Sequence, residues 1–548
     1  MIWITQFALL GALCFVQPSF QASTPESPTY VAAVVEYAPY SKQANDSAYD
    51  VVSKNVENYI NLIRSAASKG ADIIVFPECG LVSYGLSTDF ASALPNPDDH
   101  VNPCKNASSN VEKAIRELSC EAQNQNIYVL VNLPEKKECT RDSTEDCPRD
   151  GVIYYNSNVV FDRKGTVVAR YRKFNLFGEP GFSVTPEPEF SMFETDFGVK
   201  FGTFTCFDIM FQHPAVTLVK GYGITDIVFP TAWFSELPFL TAVQAQTAWA
   251  HGMDVNFLGA GYSYPGVGST GSGIYAGKEG SITAVMKTSS ITQLLVANVT
   301  KKTSNYKVPP KMDFEKPVRF TVEPFPEKLK ITGLYLKRDD VDVYETRLLG
   351  EKDFNGNQTL CYKDFCCQFD ILMRTTNLSV EGKVSENGYV YRIAVFDDIR
   401  SYTFASGGLQ ICAVFACTNS SISSCGTELD APATMDTKFD HIRISGTFRL
   451  GNATQLPNTL ANNYETLKKN EFLFTKEEIP DRNEVNVTME TSVNNISLYT
   501  FAIYGRDFTK DGLESTQRDV RSAGSYVLSE ATYVILVISF CITMRRFF

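Results

Sequence analysis

The sequence predicts an α/β unit of helix-covered sheets running to about Lys301, followed by a smaller β-rich domain. Three observations predict it. Before Lys301, apolar runs of strand length alternate with segments whose apolar residues recur at helical spacing. Pro309, Pro310, Pro317, Pro324 and Pro326 then mark a linker. Beyond them strand-like runs dominate and helical patterns are few. At 548 residues the chain is long enough for two domains, each with its own core.

The first residues, MIWITQFALLGALCFV, are apolar but too few to span a bilayer, and small residues follow around Ala22 and Ser23. Residues 1–22 therefore read as a secretory leader. Thr29 to Tyr37 reads as a strand, and Asp50 to Lys69 as a helix carrying Val52, Val56, Ile60 and Ile63 on one face and ending at Gly70. Ala71 to Phe76 is a continuous apolar strand of the kind covered on both faces. A helix over Asn110 to Gln125 and a strand over Ile127 to Leu133 complete a β-α-β-α-β series. A hairpin follows, Ile153 to Phe161 and Thr166 to Arg172, turning at Gly165. Next come a strand over Gly202 to Thr205, a helix over Asp208 to Val219, a strand over Ile227 to Pro230 and a helix over Leu237 to His251. Strands over Val255 to Gly261, Ser281 to Met286 and Thr292 to Val299 close a unit placed at residues 29–303, with the β-rich domain at 304–515.

Composition narrows the class. Charged residues make up 20% and hydrophobic ones 44%, which is globular composition and not that of a disordered chain. The net charge is −12 and Lys and Arg never cluster beyond pairs, so nucleic acid is excluded as a partner. Nine N-x-S/T sequons, at Asn45, Asn106, Asn298, Asn357, Asn377, Asn419, Asn452, Asn486 and Asn495, suit a glycosylated secretory protein. Of 14 cysteines, Cys14 and Cys541 fall in the terminal segments. Setting aside Cys206 as a nucleophile and Cys79 as its free neighbour leaves ten, enough for five disulfides. Cys104–Cys120 and Cys139–Cys147 are the expected local bridges; spacing leaves the pairing of Cys361, Cys366, Cys367, Cys412, Cys417 and Cys425 open. Four scattered histidines and an oxidising compartment disfavour a metal site.

Phe201 to Phe211, FGTFTCFDIMF, is the stretch with chemical content. A cysteine at a strand-to-helix corner has its sulfur out of the sheet and near backbone N–H groups that stabilise negative charge. Glu78, in IIVFPEC, and Lys173, in YRKFNLF, also sit at or just after strand ends. In an open α/β sheet those ends line one crevice, so the three can converge. A solvated loop acid, an edge charge and a core cysteine would explain them singly. Together they supply amide cleavage: Cys206 attacks, Glu78 takes the thiol proton and later activates water, and Lys173 favours the thiolate and holds the oxyanion with the backbone N–H of Phe207.

FPE, YRKFNLF and FTCFDIMF in this order resemble the Glu-Lys-Cys triad of the nitrilase superfamily of carbon–nitrogen hydrolases. PTAWFSELPFLTAVQAQTAWAHGMDVNFL, TGSGIYA, FCCQFD, LQICAVFAC and ISGTF resemble its vanin and biotinidase branch, over roughly residues 30 to 515. The resemblance implies a four-layer α-β-β-α sandwich with a β-rich base domain, no metal and no cofactor. Ala248 to Leu258, AWAHGMDVNFL, is more similar to vanins, which implies pantetheine as the small-molecule amide substrate, cleaved to pantothenate and cysteamine. Glu179 resembles the superfamily's supporting glutamate, and Trp233 is expected to line the acyl pocket. Cys79 directly after Glu78, and the small residues Gly259 to Gly261, depart from the vertebrate vanin pattern. Biotinidase-like cleavage of biotinyl amides and a catalytically inactive binding homologue are the alternatives. A Cys–His protease would need a partner such as His213. At the C-terminus, Ala531 to Met544 is a 14-residue apolar run, short of the ~20 residues a spanning helix needs. With Ser522, Ala523 and Gly524 upstream, residues 516–548 read as a glycolipid-anchor signal processed near Ser522, which would hold the protein on the outer face of the cell membrane or, unanchored, release it as secreted. Arg545 and Arg546 keep a transmembrane anchor as the rival.

Overall fold

The computed structural model describes residues 22–82, 88–106, 112–140, 147–310, 333–350, 353–378, 387–430 and 432–514. Residues 1–21 of the expected leader and the expected anchor signal with Ser522 lie outside them.

Two six-stranded sheets form the first half. One runs Gln293–Thr300, Thr29–Glu36, Ile73–Val75, Tyr128–Glu138, Val152–Phe161, Val167–Arg172, with parallel pairing only among its second to fourth strands. The other runs Ser281–Val285, Ser272–Ala276, Asn256–Gly261, Asp226–Thr231, Lys200–Thr203, Met192–Glu194, and is parallel across its third to fifth strands. Because successive strand side chains point to opposite faces, each strand serves two interfaces. Ala32, Val34, Ile73 and Val75 turn toward Phe201, Val228, Leu258 and Ile274 of the second sheet. Ala33, Val35, Ile74 and Phe76 turn the other way, onto Val56, Tyr59 and Ile63 of the helix Ala48–Ser68 and Ile115 and Leu118 of the helix Lys113–Gln125. The second sheet's outer face, with Ile227, Phe229 and Phe257, is covered by Ala215 and Leu218 and by Trp249 of the helix Ala242–Met253. The result is the α-β-β-α sandwich, and it explains why Ile73–Val75 carries no polar residue: both of its faces are covered.

Two of the expected helices are corrected. Asp208 to Val219 is not one helix: a tight turn, Cys206–Met210, precedes a wide helical segment, Gln212–Gly221, and His213, the second residue of that segment, has extended φ/ψ. Pro214, which disfavours helical backbone at the residue before it, accounts for the break. The helix expected from Leu237 starts instead at Ala242, where Thr241 and Gln244 cap its first turn and Gln244 Nε2 donates to Pro238 O at 2.8 Å. The strand Ser272–Ala276 was not expected at all, its two small residues, Ser272 and Gly273, having hidden its pattern.

From Glu345 onward the chain forms two five-stranded sheets in which every pairing is antiparallel. Glu345–Leu348, Val390–Ser401, Ser406–Cys417, Leu498–Asp507 and Ala453–Ala461 make one, in that order. Phe354–Tyr362, Phe365–Asn377, Met435–Arg449, Glu484–Thr491 and Phe472–Ile479 make the other. The second sheet alternates buried and exposed residues, as a sheet with one wet face must. The first does not: Ser406–Cys417 and Leu498–Asp507 are buried along their whole length. Their other face packs on the helix Ala242–Met253 and its approach. Asn458 Nδ2 donates to Phe239 O at 2.9 Å, and Asn458 Oδ1 accepts from Gln244 Nε2 at 2.6 Å. Thr500 Oγ1 donates to Pro238 O at 2.6 Å, and Phe239 packs against Phe415 and Tyr504. At Gly252 a side chain would meet Leu456 across the same junction.

Cys104–Cys120 and Cys139–Cys147 are bridged as expected, and the six remaining cysteines pair as Cys361–Cys366, Cys367–Cys412 and Cys417–Cys425. Only Cys79 and Cys206 among the described cysteines are free. All nine sequon asparagines are solvent-exposed. Among the described residues no helix is long and apolar enough to cross a membrane. Cys367–Cys412 joins the two C-terminal sheets across a sequence separation of 45 residues, so it constrains the unfolded chain more than the four local bridges do. Replacing both Cys367 and Cys412 by Ala is expected to cost about 2–4 kcal/mol, read as a lowered midpoint in thermal or denaturant unfolding, whereas the Cys361/Cys366 pair should cost less.

Candidate active site

Glu78 follows the strand Ile73–Val75 by three residues, Lys173 directly follows Val167–Arg172, and Cys206 follows Lys200–Thr203 by three. All three are buried, Lys173 to 1% exposure. An ammonium this far from water needs compensation, and two carboxylates supply it. Lys173 Nζ donates to Glu78 Oε1 at 2.8 Å and to Glu179 Oε1 at 2.5 Å. Burial alone would push the Lys173 ammonium toward neutrality, but the Glu179 and Glu78 charges outweigh it and hold its pKa well above the usual lysine value. Two of its three N–H donors are thereby used and one is left. Glu78 is held from its other side by the Ala232 N–H, which donates to Oε2 at 2.9 Å.

Cys206 has a φ of 49°, a left-handed conformation that an L residue other than Gly, Asn or Asp rarely adopts. The turn is stabilised by a reciprocal cap: Thr205 N–H donates to Asp208 Oδ2 at 3.0 Å while Asp208 N–H donates to Thr205 O at 3.1 Å. Asp208 then reaches beyond its own turn. Its carboxylate accepts from Tyr171 Oη at 2.7 Å, Asn175 N at 2.8 Å and Asn175 Nδ2 at 2.9 Å. Those partners lie two residues on either side of Lys173, so one buried carboxylate ties the cysteine corner to the lysine strand end. Burial pushes Asp208 up to about 6, against the lowering by Tyr171 and Lys173.

A second tie runs through asparagines. Asn132 Nδ2 donates to Asn156 Oδ1 at 2.7 Å and Asn158 Oδ1 at 2.9 Å, and Asn132 Oδ1 accepts from Cys79 N at 2.8 Å. Asn156 Nδ2 donates to Glu78 Oε1 at 2.8 Å and Glu179 Oε1 at 3.3 Å. Thr205 Oγ1 donates to Asn158 Oδ1 at 3.1 Å. Asp208 and the three asparagines were missed from sequence. Thr205-x-x-Asp208 has capping-box spacing, and asparagines are depleted in strands, so VNL at Val131 and YNSN at Tyr155 carried the available signal.

Next to Cys206 lies an apolar cleft lined by Phe177, Phe207, Met210, Trp233, Phe234 and Leu240, with Glu236 and Tyr402. The cleft is partly open to solvent. Trp233 is therefore in the lining, and its indole N–H is committed to Leu240 O at 2.8 Å. The backbone N–H of Phe207 makes no protein hydrogen bond among the described residues. Tyr402 comes from the C-terminal sheets, which no sequence pattern had connected to this cleft. His213 stands apart from Cys206 chemistry, its Nδ1 sharing a 2.8 Å hydrogen bond with Thr217 Oγ1.

Residues 32–239 match the carbon-nitrogen hydrolase family model, and residues 334–511 match the vanin C-terminal domain. Vanin-like protein 1 of Drosophila melanogaster is 37% identical over 90% of this chain and 88% of its own length. Pantetheine hydrolase VNN2 of Homo sapiens is 32% identical over 98% of both chains. Pantetheinase of Homo sapiens is 36% identical over 77% of this chain and 80% of its own.

Burial and the Glu78 charge push the Cys206 thiol well above its ordinary pKa, although Lys173, Thr231 and Ala232 act in the other direction. The resting group is a neutral thiol, so Lys173 does not create a standing thiolate. The absorbance difference near 240 nm between the wild type and Cys206→Ser should therefore be absent at pH 7 and emerge only above pH 9. A thiolate band already present at neutral pH would contradict this electrostatic account.

Proposed function

Because the chain belongs to the vanin family of carbon–nitrogen hydrolases, we propose that it hydrolyses the linear amide of pantetheine to pantothenate and cysteamine through a thioester on Cys206. The observation that carries this reading is the convergence of Glu78, Lys173 and Cys206 beside one apolar cleft. The names and lengths of match of the pantetheinase relatives support the choice of substrate.

In the proposed cycle Glu78 takes the Cys206 proton as the sulfur attacks the amide carbonyl, so a thiolate forms only with substrate in place. Negative charge moves to the carbonyl oxygen. The remaining Lys173 N–H and the Phe207 backbone N–H serve as its donors. Collapse of the tetrahedral adduct breaks the C–N bond, and the amine leaves with the proton that Glu78 held. Water then enters, Glu78 removes its proton, hydroxide adds to the thioester carbonyl, and pantothenate departs as the proton returns to sulfur. Glu179 remains paired with Lys173, so the ammonium keeps a carboxylate partner while Glu78 gains and loses its proton. Trp233 lines the side of the cleft where the acyl chain lies.

The setting we propose is extracellular. The leader, five disulfides and nine exposed sequon asparagines support passage through an oxidising, glycosylating compartment. The C-terminal signal near Ser522 supports a glycolipid anchor.

Purified protein assayed side by side is expected to favour pantetheine over biocytin; the reverse order would move the chain to biotinyl amides, and no turnover of either would favour an inactive homologue. Cys206→Ala should abolish turnover and Glu78→Gln should lower kcat by at least ~10²-fold, both with unchanged secretion. On intact cells, a phosphatidylinositol-specific phospholipase C should release the activity into the medium. Activity that stays on the cells with Tyr533 to Met544 retained would mean a peptide anchor.

A further inference from the structure

Residues 22–28 cross the end of the sandwich where the parallel strands begin, the end opposite Cys206. Lys301 holds the middle of this strap. Its Nζ donates to Thr24 O at 2.6 Å and Pro25 O at 3.2 Å, and its backbone N–H donates to Pro28 O at 3.0 Å. Pro25 packs over Gly198, where φ is +77° and a Cβ would come within 3.1 Å of Pro25 Cα. Ser23 anchors the start: its N–H donates to Asp72 Oδ1 at 2.9 Å and its hydroxyl to Asp72 Oδ2 at 2.6 Å.

Asp72 is 1% exposed, and its carboxylate is a junction. Oδ2 also accepts from Val31 N at 2.8 Å, and Oδ1 from Arg163 Nη2 at 2.6 Å. Its backbone N–H donates to Val31 O and its carbonyl accepts from Tyr128 N. Asp72 therefore joins the strands that begin at Thr29, Ile73 and Tyr128 to the turn at Arg163. The charges around it do not balance. Arg163 pairs with Asp196 Oδ1 through Nε at 3.0 Å as well as with Asp72, and its Nη1 donates to Asn126 O. One buried guanidinium thus serves two carboxylates, one of them fully buried. Lys301 also feels the Asp72 charge, but its ammonium is committed to the strap carbonyls.

We propose that the leader is cut off between Ala22 and Ser23, and that the α-ammonium so created at Ser23 forms an ion pair with Asp72. Ala22 is the small residue a leader peptidase accepts before the cut. Water supplies the oxygen of the new Ala22 carboxylate, and its two hydrogens go to the Ser23 nitrogen, which becomes an ammonium. Before the cut that nitrogen is a neutral amide, able to hydrogen-bond Asp72 but not to neutralise it. A hydrogen bond between charged groups is roughly twice as strong as a neutral one. Ser23 is half-buried, so the other two N–H groups of the ammonium reach water. The docking presupposes the secretory leader proposed above; it goes further in fixing the first residue of the mature chain and giving its charge a partner.

The secreted protein is first sequenced from its N-terminus, and Ser23 is the expected first residue. A start at another position overturns the docking, and retention of Met1 refutes the leader as well. Two leaders are then compared, one leaving Ser23 first and one leaving a single extra Gly before it. The extension keeps the Ser23 N–H and hydroxyl but turns that nitrogen into a neutral amide and moves the ammonium away. The thermal unfolding midpoint is expected to fall by about 2–4 °C, with turnover per active site unchanged because the strap lies opposite Cys206. In Asp72→Asn the same extension is expected to have no further effect. An equal drop in both backgrounds, or no drop in the wild type, overturns the ion pair. If Asp72→Asn is not secreted, the wild-type pair alone decides.

Discussion

The rest of the site depends on keeping one ammonium charged where almost no water reaches it. Lys173 is buried between Glu78 and Glu179, and the Asn156 amide donates to both carboxylates. The cluster of two carboxylates and one ammonium carries a net charge of −1, and this fixes the state of its neighbour. A thiolate at Cys206 would add a second uncompensated negative charge in a low-dielectric setting, so the sulfur keeps its proton. Passing that proton to Glu78 leaves the total unchanged. The cluster is thus arranged to permit a proton shift between two of its members while opposing ionisation outright.

Holding such a cluster together requires more than the charges. Its members come from the ends of different strands in two sheets, and nothing in a sandwich of apolar faces specifies how those ends approach one another. The polar ties do. Asp208 joins the cysteine turn to Tyr171 and Asn175, and Asn132, Asn156 and Asn158 bind the loops after three strands into one network. Each of these groups is buried and would be destabilising if unpaired, so the network is satisfied in one arrangement and penalises others.

The sequence made the layers legible because strands with two covered faces and helices with one apolar stripe leave strong periodic patterns. Ala71 to Phe76 and the helix around Val56 and Ile63 are found where those patterns place them. The three residues at strand ends were legible for the same reason, since topology carries strand ends to one crevice. Failures have their own physics. Pro214 broke a helix that apolar spacing alone would have continued, and capping at Thr241 moved the start of another past Pro238. Asp208 was placed only as the first residue of an expected helix, because its partners, Tyr171 and Asn175, are more than thirty residues away. Tyr402 was illegible: its relation to Cys206 exists only through the packing of Ser406–Cys417 and its neighbours on the Ala242–Met253 helix, a contact that no local pattern encodes.

That doubly covered sheet has a consequence for how the protein can vary. A surface loop around a cleft can be exchanged freely, but the Tyr402 turn is the continuation of two strands, one of them buried along its entire length. Arg506, on the adjacent strand Leu498–Asp507, donates to the carbonyl of Met210, the last residue of the cysteine turn, at 2.9 Å. Any insertion or register slip in those strands would shift the wall of the cleft and the support of the nucleophile at the same time. Drift in substrate preference within such an architecture is therefore confined to side-chain replacement on a fixed frame, and the two halves of the chain must diverge in step.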